Sequence, residues 1–374
     1  MEHRDLSRRQ VLGLVGAVGV MVAAPKVSAE PLEYPLYSAR GTHRELGRQH
    51  GEQAAEKIHA FVENLAADGH YSRPQLHERA LAFQPYFEKY CPHLLDEIQG
   101  LAEGARVPLA EALAVNIRGP LHLAETPGCT SFVIGRKGAS DGQMLAGKNA
   151  DMDPEIPPLG YVLHLKPANK PEVLMWTFGG MIGYHGMNSA GVAEFDNALL
   201  GGGPAGRMGL PTYPMKRLML ECDHVDKIVH LYQTVPMAAN CNYVVCDGHG
   251  NLADLETTTR GVNVLRDDGR GFLAHANHYL SREYVGTYAH FPAAWKDSFD
   301  RQRRMESLIQ GHFGFLGWED MKRYLSDHRG YPTSICRHDG SSLTVASMIS
   351  EPAERRMHVS FGNPCYNRFV TYRM

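Results

Sequence analysis

The feature that most constrains the fold is a change of pattern at Gly128, from helical to strand-like. From Thr42 to about Arg118, apolar residues recur at the three- and four-residue spacing of amphipathic helices. After Gly128 come short, apolar, β-branched segments separated by glycine or proline, which is typical of strands. With no repeat or linker along the chain, this order predicts one α+β domain in which two packed sheets lie between helical layers. The predicted strands cover 129–135, 143–149, 160–166, 172–178, 181–188, 191–198, 242–247, 251–257, 271–275, 343–350, 356–361 and 367–372, and helices return at 214–233, 292–310 and 317–327.

Cys129 stands at the start of the first of these strands, directly after Gly128. The next predicted strand follows a polar turn and leads to Asp151, so pairing of the two strands would bring a carboxylate near the cysteine. A thiolate attacks carbonyls well but needs a base, and an α-amino group with a pKa of about 7.7–8.0 on the same residue can be that base. Cys129 is therefore predicted to be a nucleophile freed by cleavage of the Gly128–Cys129 bond. A buried structural cysteine after a turn is the alternative on this motif alone.

Residues 1–29 have the pattern of a twin-arginine signal peptide. Ser7-Arg8-Arg9-Gln10-Val11-Leu12 is followed by a weakly apolar run from Val11 to Ala24 and by the small-x-small signal Val27-Ser28-Ala29. The run of about 14 residues is too short to span a bilayer as a helix, so no stable membrane anchor is predicted. We expect the twin-arginine export machinery as a partner and a bacterial periplasmic or secreted protein, with residues 30–374 as its functional domain.

Charge and cysteine content exclude several classes of protein. The whole chain carries −3 and residues 1–29 carry +2, so the remainder carries −5, which gives no reason to expect nucleic acid as a partner. The seven cysteines are an odd number, so at least one is expected to be free. Folding in a reducing cytoplasm before export argues against a disulfide framework. Buried, inert thiols are predicted for Cys91, Cys222, Cys241, Cys246, Cys336 and Cys365.

Three further segments carry polar residues suited to a site. Asn188 lies at a predicted strand–turn–strand, where asparagine is commonly only a turn former. His275 and His278 end a strand, but two histidines without a clear third ligand are a weak zinc signal, so neither a metal nor another cofactor is predicted. Arg337 precedes the last group of strands and either pairs with a carboxylate or lies on the surface.

In their shared order, these segments resemble the acyl-coenzyme A:6-aminopenicillanic acid acyltransferase family of cysteine N-terminal nucleophile hydrolases. That family is related more distantly to penicillin V acylases and bile salt hydrolases. The resemblance implies a four-layer αββα fold made of two chains from one precursor, a mainly helical 30–128 and a second chain 129–374. Matching segments run from Gly41 to about Pro364 and include Gly128-Cys129-Thr130, Asn149-Ala150-Asp151, Gly186 to Val192, His275-Ala276-Asn277-His278, Arg301 to Glu306 and Tyr331 to Arg337.

The resemblance also implies roles for individual residues. Cys129 would be the nucleophile and its freed amine the base, while Asp151 would orient that amine and stabilise its charged form. The side-chain amide of Asn277 would donate to the oxyanion, with Asn188 as a candidate second polar contact. Arg337 and Arg118 are the candidate substrate-binding residues, and each could hold a substrate carboxylate by a bidentate contact.

These roles predict a self-processing cysteine amidohydrolase or acyltransferase that acts on small N-acyl or peptide-like amides. The fungal members of the family have an aromatic residue where this chain has Ala150, so the adjoining pocket is expected to differ. An exported protein meets no abundant coenzyme A, which favours hydrolysis over transfer from a thioester. Two alternatives remain open: a penicillin-acylase-like hydrolase of β-lactam side chains, and a catalytically silent exported binding protein with the same fold.

Overall fold

The structure is a computed structural model that describes residues 32–67, 70–117, 128–199, 208–258, 260–285 and 296–374. The predicted signal peptide and Arg118 lie outside these ranges. Within the described residues, fifteen strands form two sheets, and ten α-helices accompany them. None of these helices combines the length and the apolar content that crossing a membrane requires.

The segment before Cys129 is helical, as its apolar spacing predicts. Helix α1 packs along α4, and glycines set the closeness of this contact. A Cβ on Gly47 would collide with the carbonyl oxygen of Glu97, and one on Gly100 would collide with that of Arg44. The helices are α1 (His43–Ala67), α2 (Arg73–Leu81), α3 (Gln84–Tyr90), α4 (Pro92–Ala105), α5 (Leu109–Asn116), α6 (Thr212–Met219), α7 (Val225–Thr234), α8 (Arg282–Val285), α9 (Asp297–Gly311) and α10 (Trp318–Leu325), with 3₁₀ turns at Pro157–Leu159 and Pro352–Glu354.

Two sheets occupy the centre of the fold. The first sheet has the order β1-β4-β5-β6-β7-β8-β9-β10, and the second has the order β11-β2-β3-β13-β14-β15 with β12 paired to β13. The strands are β1 (Leu36–Gly41), β2 (Gly128–Ile134), β3 (Leu145–Met152), β4 (Gly160–Pro167), β5 (Val173–Phe178), β6 (His185–Asn188), β7 (Ala193–Ala198), β8 (Cys241–Cys246), β9 (Leu252–Thr258), β10 (Gly261–Arg266), β11 (Phe272–His275), β12 (His338–Asp339), β13 (Ser342–Glu351), β14 (Arg356–Phe361) and β15 (Phe369–Arg373).

The layers follow the order helix, sheet, sheet, helix. Helices α1 and α7 pack on the first sheet, through β1 and β4 and through β9 and β10. The first sheet faces the second through the contacts of β7 with β2 and β3. Helices α9 and α10 cover the other side of the second sheet. The predicted four-layer αββα fold is therefore confirmed.

Several elements differ from the sequence prediction. The edge strands β1 and β10 were not predicted, and both are partly exposed, so neither has the continuous apolar run of a buried strand. The strand predicted at 181–188 begins only at His185. Gly179 and Gly180 take positive φ angles of 59° and 95°, which turn the chain between β5 and β6.

Candidate active site

The pairing of β2 with β3 positions the candidate nucleophile. These antiparallel neighbours place Gly128 opposite Asp151 and Cys129 opposite Ala150. Cys129 is 8% exposed, and Asp151 is buried. A thiol and a carboxyl group therefore lie on adjacent residue pairs at one end of the second sheet.

The Asp151 carboxyl group has one oxygen satisfied and one free. Its Oδ1 accepts a hydrogen bond of 2.7 Å from the Thr344 hydroxyl, whereas its Oδ2 is buried without a hydrogen-bond partner among the described residues. Burial raises the pKa of Asp151 to about 7, although the charges of Arg301 and Arg337 act to lower it. A carboxylate with this pKa can accept or release a proton near neutral pH.

The backbone of Cys129 is held on both sides of its Cα. Its N–H donates to Oδ1 of Asn277 at 2.9 Å, and Arg301 donates to its carbonyl oxygen. Arg301 also donates to the Thr130 hydroxyl at 3.0 Å and to Oδ1 of Asn277 at 2.8 Å. Asn277 and Arg301 therefore fix the main chain that carries the thiol. The Asn277 amide nitrogen donates to the carbonyl oxygen of Ala198 at 3.0 Å.

Arg301 was assigned no role from the sequence. It lies on α9, its side chain is only 2% exposed, and its Nε donates to Asp297 at 2.7 Å. A charged residue within a helical pattern ordinarily faces solvent, so its spacing alone does not predict burial against Cys129. The only sequence signal was its position in the Arg301 to Glu306 segment of the family resemblance.

Arg337 lies against Gly128. A Cβ on Gly128 would be 2.9 Å from the Arg337 Cδ and 2.9 Å from Oδ2 of Asp151. The guanidinium group donates to Asp297 at 2.9 Å and to Asp339 at 3.3 Å. Both terminal nitrogens thus have carboxylate partners within the protein, and Nε is buried without one among the described residues. Arg337 forms a wall of the site and is not a surface residue.

The other two predicted site residues do not join this group. The Asn188 side chain donates to the carbonyl oxygens of Leu220 and Cys222, and its oxygen accepts from the N–H groups of Ala190 and Val192. These hydrogen bonds stabilise a turn, which was the alternative role of Asn188 in the sequence analysis. None of them involves Cys129. Arg118 lies outside the described residues.

Lys148 is a buried charge that sequence reasoning did not assign. It lies two residues before Ala150 on β3, so its side chain is on the same face of the sheet. Its Nζ donates to the Asp196 carbonyl oxygen at 2.6 Å, to Oδ1 of Asp196 at 3.2 Å, and contacts Nε2 of His185 at 3.1 Å. Burial raises the pKa of the Cys129 thiol, and the Lys148 charge opposes that shift. The thiol is therefore mostly protonated at neutral pH and needs a base to react.

His275 and His278 do not form a metal pair. Nε2 of His275 lies 3.1 Å from Oε1 of Glu256, while Nδ1 of His278 lies 2.7 Å from the Ser298 hydroxyl. The two rings therefore use separate partners, and their sequence proximity does not create a shared ligand position.

All seven cysteines are free in the structure. Cys91, Cys241, Cys246 and Cys336 are buried, while Cys222 and Cys365 are only half-buried. The expectation of at least one free thiol is therefore met.

Two comparisons relate this chain to one family of known proteins. Residues 138–366, more than half of the chain, match the model of the acyl-coenzyme A:6-aminopenicillanic acid acyl-transferase family. The 40 kDa form of acyl-coenzyme A:6-aminopenicillanic-acid-acyltransferase from Emericella nidulans is 27% identical over 354 residues, covering 87% of this chain and 92% of the relative.

Two solved structures are also similar. A mutant of conjugated bile acid hydrolase from Clostridium perfringens matches with a TM-score of 0.47 and 12% identity, over 66% of this chain and 97% of that one. Penicillin V acylase from Agrobacterium tumefaciens matches with a TM-score of 0.45 and 12% identity, over 62% of this chain and 82% of that one. Because residues 138–366 match its family model, the chain belongs to the acyl-coenzyme A:6-aminopenicillanic acid acyl-transferase family.

Proposed function

We propose that this protein is a self-processing cysteine amidohydrolase or acyltransferase that cleaves small N-acyl or peptide-like amides through an acyl-enzyme on Cys129. The observation that carries the proposal is the free, buried Oδ2 of Asp151 beside the Gly128–Cys129 bond. A carboxyl group in that position could form an ion pair with the α-amino group that cleavage of the bond would release. Family membership supports acyl-group chemistry in general.

Self-cleavage would begin with attack of the Cys129 sulfur on the Gly128 carbonyl carbon. The carbon–sulfur bond forms, the carbon–nitrogen bond breaks, and the thiol proton ends on the departing Cys129 nitrogen. Asp151 can relay this proton because its pKa of about 7 lies near neutral pH. Water then hydrolyses the thioester, which would give chains 30–128 and 129–374.

Turnover would repeat this chemistry on a substrate amide. The freed amine takes the thiol proton as sulfur attacks, and it gives a proton to the leaving amine as the substrate bond breaks. The buried Asp151 carboxylate would hold the charged form of that amine. Asn277 would donate to the oxyanion with the N–H not used by Ala198. Loss of one such donor typically costs about 3–4 kcal/mol in the transition state.

The acceptor of the acyl group follows from the compartment. We propose that residues 1–29 direct export through the twin-arginine machinery to a compartment where no abundant acyl-coenzyme A is present as a donor. The acyl-enzyme would then form from an amide and be resolved by water rather than by an amine. A β-lactam side-chain hydrolase is the second candidate, favoured by the match to a relative named for 6-aminopenicillanic acid over 87% of this chain.

A substrate panel tests the proposed function. The purified protein would be incubated with N-acyl amino acids, a short peptide amide and penicillins, and release of amine and acid would be followed by chromatography. We expect acid release without any added acyl thioester. Parallel reactions with an acyl thioester and 6-aminopenicillanic acid detect transfer instead. A fully processed protein that turns over none of these substrates would contradict the enzyme proposal and favour the binding protein.

Replacing Gly128 with alanine is expected to slow self-cleavage more than tenfold. The added Cβ would lie 2.9 Å from both Asp151 and Arg337, so one of them must move away from the bond to be cut. Loss of near-attack geometry of this size typically costs about 10²-fold in rate. The cleaved fraction would be followed over time on denaturing gels. Gly340→Ala is the control, because a Cβ there meets nothing within 4 Å. Cleavage of Gly128→Ala at the wild-type rate would exclude this steric account.

A further inference from the structure

Four metal-binding side chains converge on one point beside the candidate active site. They are His328, Cys336, His338 and Cys365, and their ligand atoms all lie within 4.8 Å of one another. Nε2 of His338 lies 3.1 Å from Nε2 of His328, 3.3 Å from Sγ of Cys336 and 3.4 Å from Sγ of Cys365. The two sulfurs are 3.6 Å apart. We propose that these residues form a Cys₂His₂ site for a structural zinc ion.

The separations match those around a tetrahedral zinc ion. Zinc binds histidine nitrogen at about 2.0–2.1 Å and cysteine sulfur at about 2.3 Å, which puts tetrahedral ligand atoms about 3.3–3.8 Å apart. Four of the six separations between ligand atoms are 3.1–3.6 Å, within or just below this range, and all six are within 4.8 Å. Two thiolates also balance the charge of a divalent ion. Two sulfurs and two nitrogens in a tetrahedral arrangement indicate zinc or an iron–sulfur cluster, and the four ligand atoms here lie close enough together for a single ion.

Ordinary hydrogen bonding does not account for this cluster. Nε2 of His338 faces another imidazole nitrogen and two sulfurs, yet a ring nitrogen carries at most one proton. Whether it donates its one proton or accepts at its one lone pair, this nitrogen can make only one good hydrogen bond among the three contacts. A cation at the centre satisfies all four ligand atoms together.

A disulfide is the competing arrangement for the two sulfurs. A bonded pair would have its sulfurs about 2.05 Å apart, whereas those of Cys336 and Cys365 are 3.6 Å apart. Both sulfurs face the His338 ring, which a disulfide would leave without a role. The Asn363 amide donates to Sγ of Cys336 at 3.6 Å, and N–H donors of this kind orient thiolate ligands in metal sites.

The zinc site has a structural consequence for Arg337. The ligands Cys336 and His338 are the chain neighbours of Arg337 on either side, so an ion bound by both would restrain the backbone of Arg337. The Asn363 amide also donates to the Arg337 carbonyl oxygen at 2.7 Å. The ion would tie together the segment after α10, the start of β12 and the connection between β14 and β15. Arg337 would thereby be held against Gly128.

From the sequence, only His275 and His278 were considered as metal ligands. His275 and His278 are close in sequence but use separate partners, whereas the four ligands of the cluster are spread from 328 to 365. Their spacing matches none of the short paired motifs by which structural zinc sites are usually found.

Metal analysis tests the site directly. The full-length protein would be purified without chelator and its zinc measured by mass spectrometry; we expect about one zinc per chain. After zinc removal under reducing conditions, loading with Co²⁺ is expected to give visible bands of tetrahedral cobalt and near-ultraviolet thiolate-to-cobalt bands. Cys365→Ser and His328→Asn are each expected to weaken zinc binding by at least the roughly 10–100-fold that is typical when a residue hydrogen-bonded to a metal ligand is changed.

Cys222→Ser is the matched control, since this half-buried thiol lies outside the cluster and should leave zinc content unchanged. The metal content of the wild type tests the zinc proposal even if a ligand variant fails to fold. The proposal would be overturned by a wild type that is metal-free as purified and binds neither added Zn²⁺ nor Co²⁺ under reducing conditions. Full zinc binding by both ligand variants would equally overturn it.

Discussion

Replacing Cys129 with alanine is expected to leave the chain uncut and to lower amide turnover by a factor on the order of 10⁴–10⁶. The sulfur forms the carbon–sulfur bond in both the cleavage step and the acyl-enzyme, so its removal abolishes both. The nearby Ser131 cannot substitute, because it is buried and its hydroxyl accepts a hydrogen bond from Asn197 at 2.6 Å. Intact mass and N-terminal sequencing would report cleavage, and product release would report turnover.

The controls for Cys129 separate chemistry from packing. Cys246→Ala removes another buried strand thiol, and we expect it to be processed and active. Cys129→Ser keeps a weaker nucleophile, so slow cleavage is expected. An uncut but fully active wild type would contradict the processing proposal. Undiminished turnover by Cys129→Ala would remove this cysteine from the chemistry altogether.

Local patterns were enough to predict the centre of the site. Adjacent strands joined by a polar turn pair in antiparallel register, so a cysteine at the start of one lies near the residues that end the next. The structure places Gly128 opposite Asp151 for this reason. Two packed sheets between helical layers were expected because helical and strand-like spacings occur in separate blocks along the chain, and the family resemblance implied the four-layer αββα fold.

The parts that were not predicted depend on contacts between distant segments. Arg301 reaches the Cys129 carbonyl oxygen from a helix 172 positions along the chain. Lys148 is buried because Asp196 of the facing sheet accepts its hydrogen bonds. Neither residue type predicts burial by itself, since a lone lysine or arginine is costly to bury without a partner. Their roles become visible only when the partners are known.

Replacing Asp151 with asparagine is expected to lower cleavage and turnover by roughly 10²–10⁴-fold while making the uncut chain more stable at high pH. Asparagine keeps the shape of the side chain and the acceptor for the Thr344 hydroxyl, but it cannot carry charge. The loss of activity follows from losing the group that would move the thiol proton and hold the new amine. The gain in stability follows from the pKa of this carboxyl group.

The sign of the stability effect follows from the direction of the pKa shift. Burial raises the pKa of Asp151 from 3.8 to about 7, so the folded chain binds this proton more tightly than the unfolded chain does. The contribution of this carboxyl group to the free energy of unfolding of the wild type is therefore fully present below about pH 4. It is lost as the pH rises to about 7. A shift of about three units corresponds to about 4 kcal/mol in the free energy of unfolding.

The measurement compares Cys129→Ala with the double variant Cys129→Ala, Asp151→Asn, so that neither chain is cut. Urea unfolding from pH 4 to pH 8 should show an advantage of the asparagine variant that is near zero at pH 4 and grows to at most about 4 kcal/mol at pH 8. Asp226→Asn is the control, because this exposed residue on α7 should change stability by no more than about 0.5 kcal/mol at either pH. A difference that does not vary with pH would contradict the raised pKa. Normal processing with Asp151→Asn alone would show that the free carboxylate beside Gly128 does not move the proton.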